Sequence, residues 1–400
     1  MREGEFQRGM AGKTILVLSV PAGAGHTRVA EAIRACAADY PGVNVIHLDA
    51  MAFATARLRR VYTDFYIALV SRAPGLWRAV YRFTDRAPRD GWCQRLRRRI
   101  EARDSRRLVR EVAALQPDAV ICTHFQPAEI LARQHAAGLL DCPVWVQVTD
   151  FDLHRMWIHP HLAGYFAASD EVAFRMRAAG IAPEAIHVAG MPTMPAFSMS
   201  HGRADCAREL GLDPARTTLL LMGGGAGLGG LSRVAGQLLA IPGDFQLIAV
   251  AGRNAAELAA LEGLAPRFPG RLVAHGYADR IERLMACADL VVTKPGGATS
   301  AECLAMGLPM ILNAPLPGQE EQNANYLLEH GVALKASDLP TLEYRVRHLL
   351  AHPARLAGMA ARARALARPH AARQVLETVL YRSEPVRAQP FTRTGDELHA

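Results

Sequence analysis

Short apolar runs of strand length alternate with helical patterns along nearly the whole chain. In the first half the runs are Lys13–Val20, Val43–Leu48, Asp118–Thr123, Val144–Thr149 and Ala185–Gly190. A second series opens with Thr217–Met222 and continues through Phe245–Ala251, Arg271–Gly276, Asp289–Lys294 and Leu308–Asn313. Apolar strands separated by amphipathic segments predict βα units and parallel sheets. After the first run, the segment His26–Tyr40 places Val29, Ile33 and Cys36 on one face of a helix. Between the two series lies GMPTMPAFSMSHGRADC, whose Pro, Gly and Ser content reads as an interdomain linker. The pattern predicts an α/β protein with two doubly wound domains, residues 11–195 and 196–382, and a loose tail over 383–400. Ligands of open α/β sheets sit at the carboxyl ends of the strands, so the chemistry is sought there.

Composition narrows this picture. A chain of 400 residues, 50% apolar and 21% charged, can bury two cores and is not a disordered polymer. No apolar run is long enough to span a bilayer. The net charge of +8 is unevenly placed: residues 57–110 hold 16 Arg against five acids, a net of +11, leaving −3 for the rest. The same stretch carries Tyr62, Phe65, Tyr66, Trp77, Tyr81, Phe83 and Trp92. Seven scattered cysteines without a C-x-x-C pair read as free thiols of a reducing compartment. The first ten residues include two acids and no apolar signal core follows them, so a cytoplasmic protein is expected, with peripheral membrane contact allowed.

Four segments carry candidate chemistry. PAGAGHTRVAEAI follows the first strand; Gly23 and Gly25 permit a tight turn, and His26 opens a helix whose positive end favours a neutral imidazole, a candidate general base. TDFDLHRMWIHPHLAGYFAAS clusters Asp150, Asp152, His154, His159 and His161, a set with no usual zinc spacing and better suited to orienting a substrate. GGGAGLGG (223–230) exposes consecutive backbone N–H groups that suit phosphate oxygens, or is a flexible loop. DLVVTKPGGATSAECLAMGLPMIL ends a strand on a Pro-Gly-Gly turn; Glu302 is read as lying in the first turn of the next helix, either binding a ribose or complementing the dipole. Beyond the following strand, PGQEEQNANYL clusters Gln319, Glu320 and Asn323, amides and carboxylates fit for sugar hydroxyls, or equally solvated loop residues opening the following helix.

In this order and spacing, GAGHTRVAEAI, TDFDLHRMW, GMPTMPAF, MGGGAGLGG, VAGRNAAEL, TKPGGATSAECLA and PGQEEQNA resemble the monogalactosyldiacylglycerol synthase and processive diacylglycerol glucosyltransferase family. The resemblance implies a GT-B fold, two Rossmann-like domains facing across a cleft. It implies a metal-independent, inverting transfer of a hexose from UDP-glucose or UDP-galactose to a lipid hydroxyl, most simply diacylglycerol, with no cofactor. Carried over residue by residue, Gly224, Gly225, Gly227, Gly296, Gly297 and Thr299 would hold the diphosphate. Glu302 would bind ribose, Gln319 and Glu320 the donor sugar, and Tyr277 would receive the uracil. His26 is the expected base, with Asp150 orienting it or serving as base itself. A polyprenyl-linked or other hydrophobic acceptor, and a non-catalytic UDP-sugar-binding regulator, are the competing readings. The Arg–aromatic segment is expected to dock on an anionic leaflet, since no nucleic-acid-binding module accompanies the charge.

Overall fold

The computed structural model describes residues 12–21, 23–55, 59–60, 73–86, 105–223, 230–313 and 315–382. They divide into two compact units, one running up to Pro195 and completed by the last helix, the other Ala196–Pro369.

The first unit contains strands β1 (Thr14–Ser19), β2 (Asn44–Asp49), β3 (Ala119–Cys122), β4 (Val144–Gln147), β5 (Gly164–Phe166) and β6 (Ile186–His187). All pair in parallel, in the order β2-β1-β3-β4-β5-β6. The connecting helices are α1 (Ala24–Cys36), α2 (Pro74–Arg86), α3 (Arg106–Leu115), α4 (Phe125–Ala136) and α5 (Asp170–Ala178). Ile15, Leu16, Val17 and Leu18 are all fully buried, as a central parallel strand requires when helices cover both faces. Leu16, Leu18, Val120 and Val146 pack with Leu108 and Val112 of α3 and Leu131 of α4 in one core.

The second unit contains α6 (Arg203–Glu209), β7 (Thr217–Met222), α7 (Leu231–Leu239), β8 (Phe245–Val250), α8 (Ala255–Leu264), β9 (Leu272–His275), α9 (Ile281–Cys287), β10 (Leu290–Thr293), α10 (Gly297–Ala305), β11 (Met310–Asn313), α11 (Gln319–Glu329), β12 (Ala333–Ala336), α12 (Leu339–Ala351) and α13 (Pro353–Leu366). Its strand order, β12-β11-β10-β7-β8-β9, is the doubly wound mononucleotide-binding arrangement read from one edge. Leu219, Leu221, Leu247 and Val292 form its core with Val234, Leu238 and Val346 from the covering helices.

The strand pattern of the sequence is reproduced, with two additions, β5 and β12. The domain boundary at 195 coincides with the division between the units. The final helix differs. The helix α14 (Ala371–Tyr381), expected at the end of a 196–382 domain, packs on α1 of the first unit. Tyr40 donates its hydroxyl to Glu377 at 2.6 Å, Lys13 Nζ donates to the Leu380 carbonyl at 3.1 Å, and Arg373 lies 3.4 Å from Asp39. The tail 383–400, most of the Arg-rich segment and Cys93 lie outside the described residues. The six other cysteines are free thiols, five of them buried.

Each sheet reverses its winding at one point, between β1 and β3 in the first unit and between β7 and β10 in the second. Chains leaving adjacent strands there diverge to opposite faces and open a crevice at the carboxyl ends. Both crevices carry sequence-predicted residues.

Candidate active site

In the first unit the crevice is built by the turns that follow β1, β3 and β4. Gly23 caps α1 with a φ of 94°, a conformation that favours glycine, and lets α1 begin immediately after β1. His26, in the first turn of α1, is thereby set against the strand ends. Its Nδ1 lies 2.8 Å from the Thr123 carbonyl oxygen and 2.9 Å from Thr149 Oγ1. A carbonyl only accepts, so Nδ1 carries the ring proton and Nε2 is the unprotonated nitrogen. Thr123 also donates its hydroxyl to the His26 carbonyl at 3.0 Å, fixing the backbone from which the ring projects. Burial lowers the imidazole pKa to about 4, against a smaller upward push from the Thr123 carbonyl. Burial therefore keeps His26 neutral.

His124 caps α4, its Nδ1 accepting the Gln126 N–H at 3.1 Å, and its ring meets that of His26 edge-on with centroids 4.7 Å apart. Burial and the neighbouring His26 hold His124 well below the ordinary histidine range. Trp157 and Phe125 close the cluster, the Trp157 ring lying 6.2 Å from His26 and 6.0 Å from Phe125. Thr123, His124 and Thr149 were absent from the sequence-based set. They stand at or just past the ends of two strands that the sequence does delimit, so the missing information was which strands are neighbours.

Asp150 follows Thr149 and is half-buried, but the hydrogen bonds to His26 come from Thr123 and Thr149. His154 and Arg155 of the same Asp–His segment hold α2 in place. His154 Nδ1 accepts the Met156 N–H, leaving Nε2 to donate to the Tyr81 carbonyl at 3.2 Å, and Asp85 accepts the Arg155 N–H at 3.0 Å. Asp152 pairs with Arg175 at 2.5 Å. Burial, with the charges of Asp150 and Asp152 adding to it, raises the pKa of Tyr81. Among the described residues no three His, Cys, Asp or Glu side chains gather into a metal-ligating group.

α2 is amphipathic in an unusual sense. Its inward face carries Tyr81 and Thr84 toward His154, while Leu76, Val80 and Phe83, one helical face at i, i+4 and i+7, are 58%, 36% and 64% exposed. Arg82 stands exposed beside them.

In the second unit, β10 ends at Thr293 and the chain turns through Lys294–Pro295–Gly296 into α10. Gly296 is the N-cap; no side chain caps this helix and no acidic residue lies in its first turn, so its first N–H groups are left to solvent or to an anion. A Cβ built on Gly296 would meet nothing within 4 Å, so the space over this turn is open. Gly297 and the half-buried Thr299 belong to the first turn, and the Ser300 hydroxyl is buried without a hydrogen bond. Glu302 is the sixth residue of α10, not part of its first turn, so the reading of a carboxylate complementing the dipole there falls away.

α11 starts after Gly318 (φ 95°) with Gln319 and Glu320 in its first turn. Glu320 folds back to accept the Leu316 N–H at 2.8 Å, and burial raises its pKa against the opposing effects of that bond and of Lys294. Asn323 is buried and donates to the Pro295 carbonyl at 3.1 Å. It anchors the turn that starts α10. On the other flank Tyr277, 44% exposed after β9, lies under the Arg253 guanidinium at 4.4 Å. Gly224, Gly225 and Gly227 lie outside the described residues.

Two six-stranded doubly wound units, each with a switch point at the carboxyl ends of its strands, make up the GT-B fold. The fold is shared with MurG of Acinetobacter baumannii (TM-score 0.59, 16% identity, 92% of this chain and 99% of that one). It is shared too with the spinosyn rhamnosyltransferase SpnG (TM-score 0.55, 14% identity, 91% and 99%). Residues 26–193 match monogalactosyldiacylglycerol (MGDG) synthase, and residues 218–375 match the glycosyltransferase family 28 C-terminal domain. The processive diacylglycerol beta-glucosyltransferase of Bacillus subtilis (strain 168) is 30% identical over 285 residues, 71% of this chain and 74% of that protein. The chain belongs to the monogalactosyldiacylglycerol synthase and processive diacylglycerol glucosyltransferase family, and it is a hexosyltransferase.

Proposed function

We propose that the protein transfers glucose from UDP-glucose to the free hydroxyl of diacylglycerol, with inversion at the anomeric carbon and without a metal ion, while docked on an anionic membrane surface. The observation that carries the reading is the 2.8 Å contact of His26 Nδ1 with the Thr123 carbonyl oxygen: a carbonyl only accepts, so the ring proton sits on Nδ1 and the Nε2 lone pair can take the proton of an acceptor hydroxyl. The freed oxygen then attacks C1 of the hexose from the face opposite the diphosphate, the C1–oxygen bond to the β-phosphate breaks, and UDP departs with the bonding pair. UDP-glucose is α-linked, so one such displacement gives a β-glucoside, the product named for the Bacillus relatives. UDP-galactose, suggested by the MGDG synthase match, is the alternative donor.

The uncapped start of α10 suits the diphosphate, whose charge grows as it leaves; backbone N–H groups aimed at that charge do the work a metal does elsewhere. Glu302 is assigned to the ribose hydroxyls, Gln319 and Glu320 to the hexose, and Tyr277 with Arg253 to the uracil. Gly224, Gly225 and Gly227 complete the phosphate loop in this reading.

The exposed Leu76–Val80–Phe83 face of α2 supports membrane docking. It lies within the Arg-rich segment, and each basic side chain near an anionic leaflet contributes about 1 kcal/mol. Among the described residues no helix is long and apolar enough to cross a membrane, so the face would rest at the interface. Purified protein incubated with diacylglycerol in phosphatidylglycerol-containing liposomes should yield a β-linked glucosyl lipid from UDP-glucose, in preference to a galactosyl lipid from UDP-galactose, with EDTA having no effect. A soluble or polyprenyl-linked acceptor used in preference to diacylglycerol would overturn the acceptor assignment.

A further inference from the structure

We infer that Thr149 is a positioning residue: its side-chain oxygen, with the Thr123 carbonyl, holds the His26 ring proton on Nδ1 and so presents an unprotonated Nε2 to the acceptor. The inference rests on the reading of His26 as the base.

A histidine side chain free in water prefers the opposite tautomer, with its proton on Nε2. The first unit selects the minority form through two oxygens on neighbouring strands. Thr123 immediately follows β3 and Thr149 lies two residues beyond β4; both are buried, and β3 and β4 pair in parallel register from Val120–Val144 to Cys122–Val146. The sheet therefore sets the separation of the two acceptors before any ligand binds. The Nδ1 proton is shared between them at 2.8 and 2.9 Å, which fixes the position of the nitrogen and leaves the ring one orientation. Threonine suits the task because its β-branched side chain is stiff at χ1.

The same contacts gain strength during the reaction. As Nε2 accepts a proton, positive charge spreads to Nδ1–H, and hydrogen bonds from a cationic donor are stronger than from a neutral one. An interaction stronger in the transition state than in the ground state raises the rate without tightening substrate binding. In many hydrolases a carboxylate does this for the catalytic histidine; here a hydroxyl and a carbonyl stand in its place. The titratable group packed against His26 is His124, whose Nδ1 accepts the Gln126 N–H and whose ring is neutral. It therefore adds no counter-charge.

The test compares full-length wild type, Thr149→Val and Thr149→Ser. Histidine ¹⁵N NMR reads the His26 tautomer without reference to activity, and glucolipid formation from UDP-glucose and diacylglycerol liposomes gives kcat and KM. Wild type should show the Nδ1–H tautomer. Thr149→Val should raise the Nε2–H population and lower kcat by roughly threefold to tenfold, the loss expected of one hydrogen bond. Its KM for UDP-glucose should be unchanged, and Thr149→Ser should restore tautomer and kcat together. Wild type in the Nε2–H form, Thr149→Val with unchanged tautomer and kcat, or a serine variant as impaired as valine would each overturn the inference. Full turnover in His26→Asn would instead reject the base assignment, leaving the tautomer result standing.

Discussion

The low pKa of His26 gives the protein a measurable acid profile. An unperturbed histidine titrates near 6.5, whereas His26 is lowered to about 4 by burial. At pH 5.5 an imidazole of pKa 4 is about 97% neutral and one of pKa 6.5 only about 9%, so turnover at that pH differs roughly tenfold between the two cases. The acid limb of kcat/KM should therefore fall near pH 4, with activity at pH 5.5 close to its neutral value. The same shift links to stability. Between pH 6.5 and 4 the unfolded chain binds a proton at this position that the native chain does not, so stability rises with pH in that window. The contribution is fully present above 6.5 and lost as pH falls through 4; at 1.36 kcal/mol per unit it is about 3 kcal/mol. The assay is initial-rate glycolipid synthesis from pH 4 to 8, with folded content at each pH followed by circular dichroism. An ordinary carboxylate base would also give a limb near 4, so temperature separates the two: imidazole ionisation shifts markedly with heating and carboxylate ionisation barely does. A limb near 6.5 in folded protein refutes the burial argument. A temperature-independent limb near 4 assigns the base to a carboxylate.

Further outcomes follow from other parts of the structure. Leu76→Ser with Phe83→Ser should weaken sedimentation with anionic liposomes several-fold and leave the melting temperature within a few degrees, because both side chains already face solvent; undiminished sedimentation would remove this face from the interface. Gly164→Ala should destabilise the first unit by roughly 1–3 kcal/mol in urea titration, since the new Cβ would lie 2.4 Å from the buried Trp145 ring. Asn323→Ala should raise KM for the UDP-sugar more than it lowers stability, because the Pro295 carbonyl loses the bond that fixes the start of α10. Isothermal titration with UDP and chemical denaturation of the same variant would separate those two effects.

Most of the architecture was legible because parallel strands buried on both faces leave unbroken apolar runs, as in Ile15–Leu18 and Leu219–Leu221. The two strands missed lack that signature. β5 is three residues, Gly-Tyr-Phe, too short to show a strand period, and β12 is an edge strand that keeps Lys335 exposed. The placement of α14 on α1 was not readable, since Tyr40–Glu377 and Lys13–Leu380 join residues more than 300 positions apart. In the site, glycines and strand-end residues pointed correctly to the two crevices, because tight βα turns need them. The partners of His26 were hidden, because Thr123 and Thr149 become its neighbours only once the strand order β1-β3-β4 is known. The Arg–aromatic segment mixed two faces of one helix in the sequence; the structure separates Tyr81, which backs onto His154, from Leu76 and Phe83, which face outward.

The central claim is that this hexosyltransferase uses His26 to deprotonate a diacylglycerol hydroxyl for attack on a UDP-hexose. It is tested most directly by single-turnover synthesis of glycolipid from UDP-glucose and diacylglycerol in anionic liposomes, wild type against His26→Asn, with product linkage resolved. The account predicts a β-linked glucosyldiacylglycerol from wild type and a chemical step slowed by about 10²–10⁴-fold in the variant, with UDP affinity unchanged. Wild-type-like turnover in the variant, or an α-linked product, would contradict it.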